Sequence, residues 1–295
     1  MDTPVAEQTP SISVIVPHFN DLDHLRLLLS LLADQTLPAD RFEVVVADNN
    51  SACGLAKVQE VCGVRARAVL APVQGAAEAR NAGVAASKGQ ILAFIDSDCR
   101  PARDWLERGV AALARAEMVG GQVNTITKDE QNLTAVEAFE KVFAFDFQRY
   151  IEKEGFSGAG NMFVPRKTFD QVGGFRAGVS EDKDWGQRAV AKGFRWTYAP
   201  DVQVSHPARR DWKGLESKWR RITSESYRLE REKPFGRLRW IVRAWAVLFS
   251  PLINAGRILR SPQLPRLPDR VKAIGILFRI RFWRFLESHR VLWKS

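Results

Sequence analysis

Short apolar runs alternate with amphipathic stretches along the first two-thirds of the chain. Residues 11–16, 42–47 and 90–95 are rich in aliphatic side chains, which is typical of strands buried on both faces of a sheet. A shorter run at 67–71 predicts one more strand. Between the first two strands, leucines at helical spacing predict a helix capped by Asn20. The buried stripe of this helix is expected to comprise Leu22, Leu25, Leu28, Leu29 and Leu32.

The alternation continues beyond these elements. An alanine-rich helix is predicted over 75–87, with Gly89 just after its C-terminus. A helix over 101–115, a strand over 118–127 and a Phe-rich helical region over 131–151 follow. Strands that alternate with helices predict an α/β fold, in which a mainly parallel sheet is flanked by helices on both faces.

Polar residues follow several of the predicted strands at the point where each strand ends. These clusters are Pro-His-Phe-Asn at 17–20, Asp-Asn-Asn at 48–50 and Asp-Ser-Asp at 96–98. The carboxyl ends of parallel strands open into the ligand crevice of such folds. Carboxylates two residues apart on an extended segment face the same side, and their oxygens suit Mg²⁺ or Mn²⁺. An isolated Asp-x-Asp is common in solvated turns, but three clusters at one sheet edge favour a nucleotide-sized site.

Other polar groups have both a structural and a functional interpretation. The carboxylates of 181–184 precede a helical stretch and could simply favour its N-terminus. The glycine-rich segment 155–160 either borders a ligand or forms a plain turn. His206 follows a short strand at 202–205, and it becomes a candidate ligand only if the fold returns it to Asp98.

Composition limits the class of protein. The chain has 295 residues and is 45% hydrophobic, enough to bury a core. Its three cysteines show no CxxC spacing, which argues against a zinc-thiolate site or disulfide scaffold and fits a reducing compartment. Residues 1–10 are polar and lack a signal-peptide core, so they predict a flexible N-terminus and a protein that stays in the cytoplasm.

The net charge of +10 is unevenly distributed. Residues 207–295 contain 22 Lys and Arg against 7 Asp and Glu, a net charge of +15, whereas residues 1–206 carry 22 against 27. A basic last third predicts an anionic partner, either membrane lipid or nucleic acid. No helix-turn-helix, RNA-binding aromatic motif or zinc spacing supports nucleic acid.

The basic third is predicted to be helical. The uncharged part of 240–259 is too short for a spanning helix. Residues 271–286 mix aliphatic, aromatic and arginine side chains, which fits an interfacial helix on anionic lipid, a peripheral position on the cytoplasmic face of the membrane. A helical extension packed on the first domain is the alternative.

Taken together, the motifs resemble those of a family-2 glycosyltransferase, an inverting enzyme of the GT-A fold, a Rossmann-like fold. The resemblance covers 11–206 and rests on Val-Ile-Val-Pro-His-Phe-Asn at 14–20, Val-Ala-Asp-Asn-Asn-Ser at 46–51 and Ala-Arg-Asn-Ala-Gly at 79–83. Lys-Gly at 88–89, the Asp-x-Asp strand, Gly-Gly-Phe at 173–175, Glu-Asp at 181–182 and His206 complete the series. It implies a catalytic domain over 11–206 and a basic helical region over 207–295.

The resemblance also implies roles for individual residues. Asp182, with Glu181 beside it, is expected to be the catalytic base. The metal ligands are expected to be Asp98 and His206, for Mn²⁺ or Mg²⁺. The nucleotide is expected to contact Pro17, Asn20, Asp48, Arg80 and Asp96. The chain departs from the family pattern at Asn49, Asn50 and Cys53, where Asp, Gly and Asp are usual. These differences affect how the base of the nucleotide is recognised.

The predicted function is metal-dependent, inverting transfer of a sugar from a nucleotide-sugar to a saccharide or lipid-linked acceptor. The donor is expected to be a UDP-sugar and the product a cell-envelope polysaccharide or exopolysaccharide. A base on one side and a metal on the other suit a single displacement. The alternative is a non-catalytic sugar-nucleotide- or membrane-binding protein that keeps the fold. A sugar-nucleotide pyrophosphorylase fits less well, since its glycine-rich loop after the first strand is missing.

Overall fold

The computed structural model describes residues 11–293, which form two compact units. The first unit contains the described residues up to 124, together with 147–177 and 181–205. The second contains 125–146, 178–180 and the residues from 206 onward. The sequence assigned 125–146 and 178–180 to the catalytic domain, whereas here they cluster with the C-terminal helices. Residues 1–10, predicted to be flexible, lie outside the described residues.

A mixed sheet confirms the predicted α/β class. Its strand order is β3-β2-β1-β4-β7-β6-β8-β5. The strands are β1 (Ile12–His18), β2 (Phe42–Asp48), β3 (Arg67–Leu70), β4 (Ile91–Phe94), β5 (Arg100–Pro101), β6 (Met118–Ile126), β7 (Met162–Pro165) and β8 (Trp196–Pro207). β1 to β4 pair in parallel, while β7 runs antiparallel to both β4 and β6. The parallel half therefore carries the strand ends that the sequence identified.

Helices cover both sides of this sheet and form most of the second unit. They are α1 (Leu22–Ala33), α2 (Leu55–Cys62), α3 (Ala76–Ala86), α4 (Trp105–Leu113), α5 (Ala135–Phe143), α6 (Phe147–Arg149), α7 (Arg166–Val172), α8 (Glu181–Ala191), α9 (Trp212–Arg231), α10 (Gly236–Arg260) and α11 (Leu267–Trp293). The predicted helical region 131–151 is not one helix. It is divided into α5, α6 and a π-helical turn at Tyr150–Glu154.

The first strand runs further than the sequence indicated. The predicted strand ended at residue 16, before Pro17, but β1 continues to His18, which pairs with Asp48. The carbonyl of His18 accepts from the amide of Asn49 on the β2 side, so the backbone of Pro17 faces the β4 side. Pairing with β4 ends at Ile15. The missing amide hydrogen of Pro17 therefore costs no ladder hydrogen bond.

The helix α1 begins one residue later than predicted. Its N-cap is Asp21, whose carboxylate accepts from the amide of His24, and the Asn20 assignment was wrong. Asn20 instead has a φ of 53°, and its side-chain oxygen accepts from the amide of Ala52. Four members of the predicted leucine stripe, Leu25, Leu28, Leu29 and Leu32, are buried, and the fifth, Leu22, is partly buried against the same core.

The glycine after α3 has a different role from the predicted one. The C-cap of α3 is Ser87, so Gly89 does not end this helix. A Cβ atom at Gly89 would lie 2.5 Å from the backbone of both Ile12 and Ser13. The position requires glycine because the chain passes directly against β1.

We expect Gly89→Ala to lower the free energy of unfolding by about 2 kcal/mol or more, since backbone atoms must move to admit the methyl group. Chemical denaturation measures this change. Gly256→Ala is the matched control, because a Cβ atom there meets nothing within 4 Å and the residue lies inside α10. The control should be neutral or stabilise the protein by up to about 1 kcal/mol. Equal stability of the two variants would contradict the close approach at Gly89.

The second unit has a hydrophobic core of its own, formed by α5, α9, α10 and α11. Its fully buried members include Ala138, Leu215, Ile258, Ala273 and Leu277. α5 begins with a capping box in which Thr134 and Glu137 each bond the other's backbone amide. Across residues 11–293, no helix combines the length and the apolar character needed to cross a membrane.

Candidate active site

A buried arginine gathers the acidic residues of the first unit. Arg80, on α3, donates through Nη1 to Glu181 Oε1 and through Nη2 to Asp96 Oδ1, both at 2.7 Å. Glu181 starts α8, and Asp96 follows β4. The arginine is 5% exposed, and its Nε atom has no hydrogen-bond partner among the described residues. Three of the predicted site residues, far apart in sequence, therefore meet at one side chain.

Asp182 lies beside this group and has an altered acidity. Burial and the negative charge of Glu181 raise the pKa of Asp182 from its ordinary 3.8 to about 7, and the charge of Asp96 acts in the same direction. The positive charge of Arg80 opposes this rise. A carboxylate that titrates near neutral pH is suited to accept a proton in catalysis. Asp182 thus has the acidity that the predicted base requires.

The acidic run at the start of α8 divides into groups with different partners. Glu181 is held by Arg80, whereas buried Asp184 accepts from Arg176 at 2.9 Å and Arg188 at 2.8 Å. Asp184 therefore secures the helix and its surroundings. Asp182 keeps one short hydrogen bond, to the backbone amide of Lys183 at 2.7 Å. The run is not merely a helix-start signal, because its first two members belong to the arginine-centred cluster.

Asn81, the residue after Arg80, holds the loop at 173–175 in place. Asn81 donates to the carbonyl of Phe175 and accepts from the amide of the same residue, both at 2.9 Å. A Cβ atom at Gly174 would lie 2.9 Å from the Asn81 side chain. The Gly-Gly-Phe turn is thus held directly against α3, and the Phe175 ring lies 5.9 Å from the Arg80 guanidinium.

The glycine-rich segment lies beside the acidic cluster, and its predicted contact with a ligand stays a prediction. A Cβ atom at Gly160 would lie 3.0 Å from Asp96 Oδ2. The next residue, Asn161, is fully buried; it accepts from the Trp105 indole and donates to the carbonyls of Gln122 and Val202. This asparagine anchors the loop to two strands and a helix, so the backbone near Asp96 is fixed.

A second group of predicted residues lies where β1 and β2 end. Asp48 is fully buried, and its Oδ1 atom accepts from Ser51 at 2.6 Å and from His18 Nδ1 at 3.1 Å. The Nε2 atom of His18 accepts from the amide of Asp21 at 3.3 Å. The histidine therefore joins the carboxylate of β2 to the start of α1. Pro17 precedes this histidine in β1.

The positions at which the chain departs from the family pattern have clear structural roles. Asn49 donates to the carbonyl of Val73 and accepts from the amide of Gly75, which ties β2 to the start of α3. Asn50 has a φ of 64°, a conformation that asparagine tolerates better than most residues. Asparagine can therefore replace the family's usual glycine at this position.

The two predicted metal ligands, Asp98 and His206, occur in different units. In the first unit, Asp98 adds negative charge beside Cys99, and burial together with Asp96 and Asp98 raises the pKa of that thiol. In the second, the carbonyl of Pro207 accepts a hydrogen bond of 2.7 Å from His206 Nδ1. Because Nδ1 donates its hydrogen in this bond, the lone pair of the neutral imidazole is on Nε2. Metal-binding histidines commonly have this arrangement, with one nitrogen donating to a carbonyl and the other binding the metal.

Within 11–293, no cluster of three or more His, Cys, Asp or Glu side chains is arranged to hold a metal ion. The donor chemistry of Asp98 and His206, a carboxylate oxygen and an imidazole nitrogen, nevertheless fits Mn²⁺. Their role as ligands stays a prediction.

Sequence reasoning missed three residues that organise these groups. His18, Asn81 and Asn161 were not selected, although the first two lie inside the quoted motifs. The available signal was that each directly follows a selected residue, His18 after Pro17 and Asn81 after Arg80. Asn161, next to the glycine-rich segment, carries no local pattern that distinguishes it from a loop residue.

Solved structures share this architecture. A mannosyltransferase from Pyrobaculum calidifontis, PcManGT, in complex with GDP-Man and Mn²⁺, superposes with a TM-score of 0.65 at 19% identity, covering 97% of this chain and 88% of that one. S. aureus TarS in complex with UDP-GlcNAc gives 0.54 at 16% identity, covering 97% and 91%. The fold is thus of the GT-A class.

Sequence comparison gives the family. The family described as Glycosyl transferase family 2 matches residues 13–180. Glycosyltransferase AglE of Haloferax volcanii is 32% identical over 208 residues, covering 68% of each protein. The pre-mycofactocin glycosyltransferase of Mycobacterium tuberculosis is 28% identical over 238 residues, covering 72% of this chain and 48% of that protein. This chain belongs to glycosyl transferase family 2 and is a glycosyltransferase.

Proposed function

We propose that the protein moves a glycosyl group from a nucleotide-diphosphate sugar to an acceptor hydroxyl with inversion at the anomeric carbon. The observation that carries this proposal is the carboxylate of Asp182, with a pKa of about 7, next to the cluster that Arg80 holds. Asp182 accepts the hydroxyl proton as the acceptor oxygen forms its bond to the anomeric carbon. The bond from that carbon to the diphosphate oxygen breaks, and the nucleoside diphosphate leaves.

The other residues of the cluster support this step. Arg80 holds Glu181 and Asp96 in place beside Asp182, through hydrogen bonds of 2.7 Å. Asp96, partly exposed, offers its second oxygen to the ribose of the donor. Pro17, Asn20 and Asp48 are proposed to shape the nucleotide pocket, with His18 and Ser51 orienting the Asp48 carboxylate.

A divalent cation, Mn²⁺ or Mg²⁺, is proposed as the cofactor. When bound by Asp98, with His206 as the further ligand, it would supply the positive charge that stabilises the departing diphosphate. PcManGT, which shares the fold, binds Mn²⁺ together with GDP-Man. The proposed donor is a UDP-sugar, the nucleotide that TarS binds in its UDP-GlcNAc complex.

The acceptor is proposed to be a saccharide or lipid-linked saccharide of cell-envelope or exopolysaccharide synthesis, met at the cytoplasmic face of the membrane. The net charge of +15 over residues 207–295 supports a position beside anionic lipid. A relative with a glycan-related name, the succinoglycan biosynthesis protein ExoO of Rhizobium meliloti, is 32% identical over 126 residues and supports the acceptor class.

Hydrolysis of UDP- and GDP-sugars in the presence of Mn²⁺ tests the proposed function. The wild-type protein should turn over at least one donor, and Asp98→Ala should lower this rate by about 100-fold or more. Asp40→Ala, which removes an exposed carboxylate outside the site, is the control and should leave the rate unchanged.

If the wild-type protein binds a donor but turns over none with Mn²⁺ or Mg²⁺, the catalytic proposal fails. If Asp98→Ala keeps full metal-dependent activity, the metal is bound elsewhere.

A further inference from the structure

Large apolar side chains are exposed along the last two helices of the second unit. Of the 20 exposed large hydrophobic residues in the described part of the chain, 14 lie within residues 235–293. Scattered exposed apolar residues are normal, whereas such a concentration marks an interaction surface.

The outward side of α10 carries a continuous apolar stripe. Its members recur every three or four residues, which places them on one side of the helix. They are Leu238, Val242, Trp245, Phe249 and Leu252. Ile253, beside the last of them, is 82% exposed. The opposite side of α10 is buried at Trp240, Ala244, Pro251 and Ile258. The exposed stripe is about 21 Å long.

The outward side of α11 carries a second stripe. It comprises Val271, Phe278, Phe282, Leu286 and Trp293. The two helices contact each other along their length, and the Trp240 indole donates to the carbonyl of Ser288 at 3.0 Å. The Trp245 ring, from the first stripe, contacts the Phe285 ring between helices at a centroid distance of 4.8 Å. The aromatic contact joins the stripes into one apolar surface, the α10–α11 surface.

Positive charge surrounds this surface. Residues 235–293 contain 12 Lys and Arg against 2 Asp and Glu. Arg237 and Arg260 are exposed at opposite ends of α10. Two arginines of 271–286 also contact aromatic rings: Arg279 and Arg284 lie over the rings of Trp212 and Trp219, at 3.9 and 3.7 Å from their centroids. Both helices therefore contribute exposed positive charge, Arg237 and Arg260 from α10 and Lys272 and Arg290 from α11.

We propose that the α10–α11 surface lies flat on an anionic membrane, with its apolar stripes inserted to the depth of the lipid headgroups and its arginines against lipid phosphates. Aromatic and aliphatic side chains flanked by arginine are the composition of an interfacial helix. Covering the surface with a second copy of the chain would bring two strongly positive units together, which like charge opposes. An anionic bilayer complements both the apolar area and the charge.

Flotation with vesicles of phosphatidylglycerol and phosphatidylcholine in equal parts tests this inference. The full-length protein should float with these vesicles at low salt and bind pure phosphatidylcholine weakly. Leu252→Glu with Ile253→Glu should lower the bound fraction by about tenfold or more, because both side chains are exposed on the stripe and the change removes apolar area and adds like charge to lipid.

Val64→Glu with Val73→Glu is the matched control, since it makes the same chemical change at exposed sites of the first unit. It should float like the wild-type protein. Arg237→Gln with Arg260→Gln should weaken binding and make it less dependent on salt. These exposed substitutions should leave thermal unfolding unchanged.

Three outcomes would overturn the inference. The wild-type protein could stay in solution with anionic vesicles, or the control pair could lose binding as fully as the stripe pair. Sedimentation could instead show a dimer that only the stripe pair dissociates, which would assign the surface to a second copy. This inference deepens the proposed location at the membrane, yet flotation needs no turnover. Donor hydrolysis without lipid, measured on the same variants, tests the proposed catalysis separately. A variant that hydrolyses the donor but does not float would show failure of the membrane inference alone.

Discussion

Asp182→Asn should strongly slow glycosyl transfer while making the folded protein more stable at alkaline pH. Loss of the proposed base should lower the rate by roughly a hundredfold to ten-thousandfold. The amide oxygen can still accept from the amide of Lys183, which the carboxylate does at 2.7 Å. Loss of activity would thus occur without loss of the fold. Initial rates of transfer and chemical denaturation at several pH values measure the two effects.

The stability effect follows from the raised pKa of Asp182. Since the folded pKa of about 7 lies above the ordinary 3.8, the folded protein holds this proton more tightly, and the wild-type protein loses stability as pH rises from about 4 to 7. The full difference would be about 4 kcal/mol, and partial contact with water reduces it to about 2 kcal/mol. Asp182→Asn avoids this loss. The variant should match the wild-type protein near pH 4 and exceed its stability at pH 8.

The same acidity sets the pH dependence of activity. Because the base must be ionised, the rate should rise with pH through an apparent pKa near 7, and a bound cation nearby would move this midpoint lower. An activity that is flat from pH 5 to 9, or an Asn variant less stable than the wild-type protein at pH 8, would contradict the proposed state of Asp182.

Arg80→Met should be among the most damaging substitutions in the first unit. It leaves Glu181, which is 9% exposed, without its guanidinium partner and removes the bond to Asp96. Breaking a buried ion pair from one side costs about 3–5 kcal/mol. Since the positive charge of Arg80 also lowers the pKa of Asp182, any remaining activity should need a higher pH.

Denaturant unfolding and the pH–rate profile test both expectations. Arg108→Met is the control, because that arginine forms an exposed pair with Asp104, and its loss should change stability by no more than about 1 kcal/mol. Equal effects of the two substitutions would show that the Arg80 cluster does not contribute as the structure indicates.

Much of the fold was predictable because its signals are local. The buried strands, the leucines of α1 and the motif at 79–83 each depend on neighbouring residues, and periodicity alone reveals them. Composition likewise separated an acidic first part from a basic last part. Element ends were less predictable. Asn20 and Asp21 are both common caps, and two hydrogen bonds decide between them: the amide of His24 donates to Asp21, and the amide of Ala52 donates to Asn20.

The candidate site was predicted as a set of residues, chiefly through the family resemblance, but its arrangement was not. Arg80 and Glu181 are separated by 101 positions, and no sequence pattern states that they bond. The pKa of Asp182 depends on burial and on charges from α3 and the end of β4, which exist only after folding.

The sequence by itself determined where strands, helices, acidic motifs and basic charge occur, because these depend on residue type and spacing. Tertiary structure decided which of them meet. It turned Arg279 and Arg284 onto tryptophan rings, left an apolar side of α10 outward, and placed three carboxylates around the one arginine of α3. The physical reason is that ion pairs, burial and altered acidity require groups to be close in space, and only chain folding brings distant residues together.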